Sequence, residues 1–184
     1  MLFRSQAECL NFVEDAILLH LVSPDDVAAV VVEPIQGEGG YVVPAPQFHQ
    51  RLREISRRHG ILFIADEVQS GMGRTGRMFA IEHFGVEPDM VAVAKGVASG
   101  LPLGVTTARA DVMAWPPGAH ASTFGGNPVS CAAALKTIEL IKGSMMQNAA
   151  EVGAFMLDQL KALQQKHAIM GDVRGEGLMI DRKS

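Results

Sequence analysis

Three short apolar segments, each followed by polar residues, constrain this chain more than any other feature. The segments are 27–32, 61–65 and 89–94, and all are rich in Val, Ile and Ala. Continuous runs of this kind are typical of strands buried on both faces of a parallel sheet. Segment 47–59, which carries charges on one face, predicts a helix between the first two strands. Alternation of strands and helices predicts an α/β fold with a mostly parallel sheet and flanking helices.

The rest of the chain predicts a fourth strand and several more helices. A further short strand is expected at 104–108, and another strand within 172–180. Helices are expected at 10–21, 79–84, 128–140 and 147–167. The sequence Lys142-Gly143-Ser144 is expected to end the third of these helices, and the fourth has Val152, Met156, Leu160 and Leu163 at helical spacing.

Composition excludes several classes of protein. The 184 residues carry a net charge of −4, which disfavours a general nucleic-acid-binding role. No apolar run is long enough to cross a bilayer, so we expect no membrane association. Cys9 and Cys131 lie far apart and in no metal or redox spacing, which favours free thiols and a cytoplasmic location. The six histidines show no paired metal-ligand spacing, so we expect no metal.

Polar side chains follow each of the three main strands. They are Glu33, Gln36 and Glu38 after the first, Asp66 and Gln69 after the second, and Lys95 after the third. Open parallel sheets bind ligands beyond the carboxyl ends of their strands. The sequence therefore predicts one site in which an acid, an amide and an amine meet.

Lys95 stands between an apolar run and Gly96, which leaves two interpretations open. A lysine at a buried strand end is costly without a partner or a task, and desolvation there would make its amine nucleophilic. The alternative is a solvated lysine on a loop. Position by itself does not decide between them.

Asp66 follows a buried strand and has three possible roles. It could cap a turn or pair with a cation, bind Mg²⁺ as in a Walker B strand, or face a protonated pyridine nitrogen. The chain has no phosphate loop of the form GxxxxGK[ST], which disfavours the second role. The glycines of 71–76 match GxGxxG, but they do not follow the strand directly, so dinucleotide binding is disfavoured.

Four motifs occur in a fixed order along the chain. They read EPIQGEGG at 33–40, FIADEVQSGMGRTG at 63–76, AVAKGVASGLPLG at 92–104 and STFGGNP at 122–128. Together they resemble the class III (ω-amino acid) aminotransferases, which use pyridoxal 5'-phosphate (PLP), with the closest likeness to 4-aminobutyrate aminotransferases. The resemblance implies fold type I, the aspartate aminotransferase-like PLP-dependent transferase fold. It also implies an enzyme that transfers an amino group from an ω-amino acid donor to a 2-oxo acid.

The resemblance assigns catalytic and cofactor-binding roles to two residues. Lys95 would bind PLP as a Schiff base and then move a proton between the cofactor and the substrate carbon. Asp66 would pair with the pyridine nitrogen, and a nearby carboxylate favours the protonated form of that nitrogen.

Four further residues receive binding roles by the same resemblance. Val68 would pack on one face of the cofactor ring, and Gln69 would hydrogen-bond its phenolic oxygen. Thr123 would reach the cofactor phosphate of a neighbouring subunit in a homodimer with the site at the interface. Glu38 would act in the substrate pocket.

The resemblance also implies a domain division and a shortened chain. Residues 1–140 would be part of the PLP-binding large domain, and 141–184 the connecting helix with the start of the C-terminal small domain. The family's upstream Gly-Ser loop, its ring-stacking aromatic residue and its downstream arginine are not found. We therefore expect an internal piece of a longer chain that is poorly active by itself.

Two other interpretations of the function stay open. The chain could be a non-catalytic truncated remnant or an assembly partner. It could also be an acetylornithine or ornithine aminotransferase, or another class III PLP enzyme such as an aminomutase, decarboxylase or racemase.

Overall fold

A four-stranded sheet forms the centre of the molecule. The computed structural model describes residues 6–183. Strands β1 (Ala29–Val32), β2 (Leu62–Asp66) and β3 (Met90–Val93) are adjacent and parallel, and β4 (Val105–Ala108) runs antiparallel to β3. The predicted α/β architecture with a mostly parallel sheet is confirmed.

The register of the strands brings their carboxyl ends to one edge. β1 and β2 end side by side, and Asp66 at the end of β2 pairs with Ala92 of β3. Glu33 and Lys95 follow the ends of β1 and β3 directly or after one residue. The polar residues that the sequence places after each strand therefore start from the same edge of the sheet.

Burial of the strands is less complete than expected. Val31 on β1 is 62% exposed, although its segment was predicted to be buried on both faces. β1 is an outer strand of the described sheet, so one of its edges has no neighbouring strand there, whereas β2 is paired on both edges. β2, which lies between two strands, contains the fully buried Phe63 and Ala65.

Helix α2 (Pro46–Arg58) covers β2. Pro46 opens it at a position where the missing N–H has no intrahelical partner to lose. Its inner face buries Leu52 and Ile55 against the sheet. Helix α1 (Gln6–Phe12) packs on α2 and continues as π-helical turns over Val13–Leu21, so the predicted helix 10–21 begins earlier than expected.

A 3₁₀ helix at Ala80–Phe84 completes this core, and a second one at Lys95–Ala98 follows β3. Ala80, Ile81 and Phe84 are buried in the same cluster as Phe63. The short helix predicted at 79–84 is therefore present.

Helices α3 (Pro128–Leu140) and α4 (Met146–Gln164) form one continuous helical arm, residues 128–164. Asn127 caps α3: its Oδ1 accepts from the backbone N–H of Val129 at 2.9 Å and of Ser130 at 3.2 Å. The break expected at residues 142–144 is wrong, because Ile141–Met145 stays helical with π-type hydrogen bonds. Burial of Ile141, which is 6% exposed, offsets the roughly 1 kcal/mol that a glycine costs inside a helix.

The last segment is a hairpin of β5 (Asp172–Glu176) and β6 (Met179–Lys183), where the sequence predicted a single strand. It docks on the loop after β2: the backbone N–H of Leu178 donates to the carbonyl of Arg74 at 3.0 Å. Gly177 lies so close that a Cβ there would stand 2.5 Å from the carbonyl carbon of Thr75. Among residues 6–183, no helix combines the length and apolar character needed to cross a membrane.

Candidate active site

A cavity of about 310 Å³ lies at the carboxyl edge of the parallel strands. Four segments line it: the turn after β1, the loop after β2, residues 94–96 after β3, and the hairpin residues 178–179. The cavity is thus formed where the sheet meets the docked hairpin. Its volume is at the lower end of the roughly 300–1,000 Å³ of ligand-binding pockets.

Four of the six predicted site residues line this cavity: Glu38, Val68, Gln69 and Lys95. Asp66 does not line it; it stands at the end of β2, two residues before Val68. Thr123 is exposed in the segment between β4 and α3 and contributes nothing to the cavity wall. The structure therefore brings together side chains from three strand ends and leaves Thr123 apart.

Lys95 is exposed, which corresponds to the solvated of the two interpretations that the sequence left open. β3 ends at Val93, and Lys95 opens the next helical turn at the rim of the cavity. Its backbone lies in the left-handed region with φ of 46°, which costs a non-glycine residue about 1–3 kcal/mol. Such strain is retained where neighbouring structure fixes the residue, and here the strained residue carries the only amine in the cavity lining.

Asp66 is half-buried, and both its backbone and its side chain are held in place. Its backbone belongs to the β2–β3 pairing, and its Oδ1 accepts from the N–H of Val68 at 3.1 Å. Among residues 6–183, no hydrogen bond reaches Oδ2. No group of three His, Cys, Asp or Glu side chains in the described chain is arranged to hold a metal ion. Asp66 thus caps a turn and keeps one carboxylate oxygen for a further partner.

Glu38 and Gln69 are hydrogen-bonded across the cavity wall. The Gln69 Nε2 donates to Glu38 Oε1 at 2.9 Å. The Gln69 carboxamide lies directly over Gly37, where an added Cβ would stand 2.5 Å from Gln69 Cδ. The N–H of Gly37 in turn donates to Glu33 Oε2 at 2.7 Å. A side chain at position 37 would displace Gln69, so this glycine is needed for the pair to form.

Glu67, next to Asp66, is a buried carboxyl group that braces the loop. It is 1% exposed and accepts from the Ser70 hydroxyl at 2.6 Å and from the N–H of Ile81 at 2.8 Å. Burial raises the pKa of Glu67 above its usual value, against the opposing effect of these hydrogen bonds. The loop that carries Val68 and Gln69 is thereby tied to the 3₁₀ helix beneath it.

Sequence reasoning missed several lining residues: Tyr41, Met72, Arg74, Leu178 and Met179. Tyr41 directly follows one of the recognised motifs, and Arg74 lies within another. Their position in the sequence could therefore have identified them as candidate lining residues. Leu178 and Met179 reach the cavity only because the hairpin docks there, and no spacing rule in the sequence predicts that contact.

The fold that places Asp66 at the end of β2 and Lys95 just after β3 is shared by solved structures. The chain is similar to an amine transaminase from an uncultivated Pseudomonas species, solved in its PLP-bound form. The TM-score is 0.85 at 41% sequence identity, over 94% of this chain and 40% of that one. The chain has the PLP-dependent transferase fold of type I, as predicted.

Residues 3–182 match the family of class-III aminotransferases, and the chain belongs to that family. It is 49% identical over 160 residues to the 4-aminobutyrate aminotransferase GabT of Escherichia coli (strain K12). It is 45% identical over 172 residues to an alanine/serine racemase of Pyrococcus horikoshii. The matches cover 86% and 93% of this chain but only 38% and 36% of those proteins. The predicted family is confirmed, and the chain spans well under half the length of these relatives.

Proposed function

We propose that this chain supplies the lysine and the ring-binding side chains of a PLP-dependent aminotransferase. The reaction is transfer of an amino group from an ω-amino acid resembling 4-aminobutyrate to a 2-oxo acid. The observation that carries the proposal is the meeting of Lys95, Gln69 and Glu38 on one cavity, with Asp66 at the adjacent strand end. The 49% identity to an enzyme named for 4-aminobutyrate supports the choice of donor.

Lys95, Asp66 and Gln69 fit the aldehyde and ring groups of this cofactor by their chemistry. A primary amine, a carboxylate with one uncommitted oxygen and a carboxamide are the groups that an aldehyde, a basic ring nitrogen and a phenolic oxygen require. The cavity volume of about 310 Å³ is sufficient for a small organic group. When bound, PLP supplies an electron sink that stabilises negative charge at the substrate carbon.

Lys95 would be the covalent attachment point and then the proton carrier at the substrate carbon. Lys95 is exposed and lines the cavity, so its amine is accessible to an incoming carbonyl group. The left-handed backbone at Lys95 fixes the origin of a long, flexible side chain. A fixed origin reduces the entropy that the amine loses when it is aligned for reaction.

Asp66 would hold a proton on the ring nitrogen. A carboxylate beside a pyridine nitrogen favours its charged form, and the strand pairing and the Val68 N–H keep Asp66 in place. Val68 would pack on the ring from the same loop, and Gln69 would hydrogen-bond the phenolic oxygen. Glu38 places a carboxylate at the cavity, where it would discriminate between substrates.

We further propose a homodimer with Thr123 at the interface, where it would contact the phosphate of the neighbouring site. Its exposed position, away from its own cavity, supports a role toward another subunit. We also keep a boundary near residues 140–141 between large domain and connecting helix, and a cytoplasmic location. The free thiols Cys9 and Cys131 support that location.

A racemase is the second candidate, favoured by the 45% identity to an alanine/serine racemase. Racemisation needs proton transfer at the same substrate carbon but no 2-oxo acid. Lys95 could serve either reaction, so the cavity residues by themselves do not separate them. Dependence of product formation on a 2-oxo acid does.

The test is titration of the purified chain with PLP, followed by borohydride reduction and peptide mapping. We expect the reduced pyridoxyl label on Lys95 and its loss in Lys95→Ala. Lys136→Ala, which removes an exposed lysine on α3, is the matched control and should keep the label. Label spread over surface lysines, or no label, would contradict the proposal.

Amino donors are then screened with and without a 2-oxo acid. Oxo-acid-dependent amino transfer supports the aminotransferase. Racemised product without an oxo acid supports the second candidate. Labelling of Lys95 without any turnover supports the non-catalytic interpretation.

A further inference from the structure

Arg174 on β5 reaches across to the turn that carries Glu38. Its Nε and Nη2 both donate to the carbonyl oxygen of Gly40, at 3.1 Å and 2.6 Å. The Arg174 side chain is 24% exposed, so most of it is shielded from water. Arg174 therefore links the hairpin to a turn that is 134 residues earlier in the chain.

Two carboxylates orient this guanidinium. Asp172 on the same strand accepts from Nη1, and Asp181 on β6 lies 3.5 Å from Nη2. Charge-assisted hydrogen bonds to a planar group with several donors fix direction as well as distance. The donors that face Gly40 are thus held in place from the other side by the hairpin itself.

The turn that Arg174 contacts adopts a backbone that requires support. Gly40 has φ of 105° and Tyr41 has φ of 43°. The N–H groups of both residues donate to the carbonyl of Gly37, at 2.9 Å and 3.2 Å. A left-handed backbone is uncommon for a residue as bulky as Tyr41. A contact from outside the turn, such as that of Arg174, stabilises such a conformation.

The same turn decides where Glu38 lies. Glu38 stands inside it, and its carboxylate accepts from Gln69 at 2.9 Å. We propose that Arg174 is a positioning residue, which holds the turn through Gly40 and so presents Glu38 to Gln69 and to the cavity. The importance of Glu38 for substrates rests on the proposed function, whereas the effect of Arg174 on Glu38 does not.

The first test measures the Gln69–Glu38 hydrogen bond in the full chain. The side-chain amide of Gln69 is observed in ¹⁵N–¹H spectra, and Glu38→Ala gives its signal without the partner. We expect Arg174→Met to move the Gln69 signal toward the Glu38→Ala position. Arg182→Met, at an exposed site on the same hairpin, is the matched control and should leave the signal unchanged.

The second test measures hydrogen exchange of the Gly40 and Tyr41 amides. In Arg174→Met we expect exchange at these amides to be about tenfold faster, with β2 unchanged. Arg174→Lys keeps the charge but only one donor group, so it should give an intermediate shift and exchange rate. If Arg174→Met does not fold, the same two measurements on Arg174→Lys test the proposal.

An unchanged Gln69 signal with unchanged exchange in a folded Arg174 variant would overturn the proposal. Equal acceleration in β2 would also overturn it, because the effect would then be general destabilisation. Borohydride labelling of Lys95 in the unmodified chain separates this result from the proposed function. If Lys95 is not labelled but the Gln69 signal responds as expected, the proposed function is contradicted and the positioning role of Arg174 is supported.

Discussion

The polar core beneath the sheet and the helical arm 128–164 differ in which side chains they bury and which they expose to water. The polar core, formed by His49, Arg53, Glu67 and Asp89, holds polar and charged side chains with at most 7% exposure. The arm instead exposes large apolar side chains. Those above 60% exposure are Val129, Leu135 and Phe155.

The polar core tolerates its charges because nearly every one has a partner. Asp89 accepts from both terminal nitrogens of Arg53, with Nη2–Oδ1 at 2.8 Å, and from the N–H of Phe63 at 2.8 Å. Arg109 contacts it from the surface. Burial opposes ionisation of Asp89, but these hydrogen bonds prevail and hold its pKa below the usual value.

The arm is packed on one side and exposed on the other. Only its inner side is packed, through Ala134, Ile141 and Ala149, which are 4–7% exposed. The predicted stripe on α4 is largely exposed, with Val152 at 38% and Met156 at 42%. Removing one partner of a buried ion pair is therefore expected to destabilise the polar core, whereas the outer side of the arm is an exposed apolar surface.

The largest effect is expected in the polar core. Asp89→Asn removes the negative charge that pairs with the buried Arg53, and an unpaired buried charge costs about 3–5 kcal/mol. Urea denaturation of the purified chain measures the free energy of unfolding. Asp111→Asn, an exposed partner of Arg109, is the control and should leave the unfolding midpoint in place. A loss below about 1 kcal/mol in Asp89→Asn would mean that the ion pair does not support the core.

A medium effect is expected from pH, through His49. This residue is fully buried and its Nε2 donates to the Pro34 carbonyl at 2.8 Å. Burial lowers its pKa from 6.5, so the unfolded chain takes up the proton first as the pH falls. The stability that neutral His49 contributes is therefore present above pH 6.5 and is lost as the pH falls from there to the folded pKa.

The contribution of this one group to the slope of the unfolding free energy against pH is at most about 1.4 kcal/mol per pH unit. The unfolding free energy, measured at a series of pH values below 6.5, should depend less steeply on pH in His49→Gln than in the unmodified chain. His120→Gln, at an exposed site, is the matched variant and should keep the slope. Equal slopes in His49→Gln and the unmodified chain would assign the acid sensitivity to other groups.

The smallest effect on stability is expected on the outer side of the arm. Leu135→Ser with Phe155→Ser should change the free energy of unfolding by no more than about 0.5 kcal/mol, because both side chains are already in water. The same double variant should reduce self-association, measured by sedimentation velocity. Ile141→Ser, on the buried side, should instead cost about 2–5 kcal/mol. Large destabilisation by the outer pair would show that the two sides of the arm do not differ.

Much of the fold could be predicted because its signals are local. The run 61–65 identifies β2, and the strand observed is Leu62–Asp66. Pro128 begins the predicted helix 128–140, and α3 begins at that residue. Prolines and β-branched runs act mainly through neighbouring residues, so the sequence by itself indicates where these elements lie.

The features that the sequence did not predict are those that depend on contacts between segments far apart in the chain. Gly143 predicted a break, but packing of Ile141 against Gly73 supports a continuous arm; a Cβ on Gly73 would stand 2.8 Å from Ile141 Cγ2. The sequence left open whether Lys95 is buried or solvated, because its exposure depends on what surrounds the strand end. Arg174 gave no sequence signal, because its partner Gly40 is remote in the chain.

The sequence by itself determined the order of strands and helices, the family and the four cavity residues that follow strand ends, because each is set by local pattern or by a motif. Tertiary structure alone decided that the hairpin closes the cavity, that Arg174 holds the turn of Glu38, and that Gln69 donates to Glu38. These contacts join residues far apart in sequence. Their geometry follows from how whole elements pack, which no local propensity specifies.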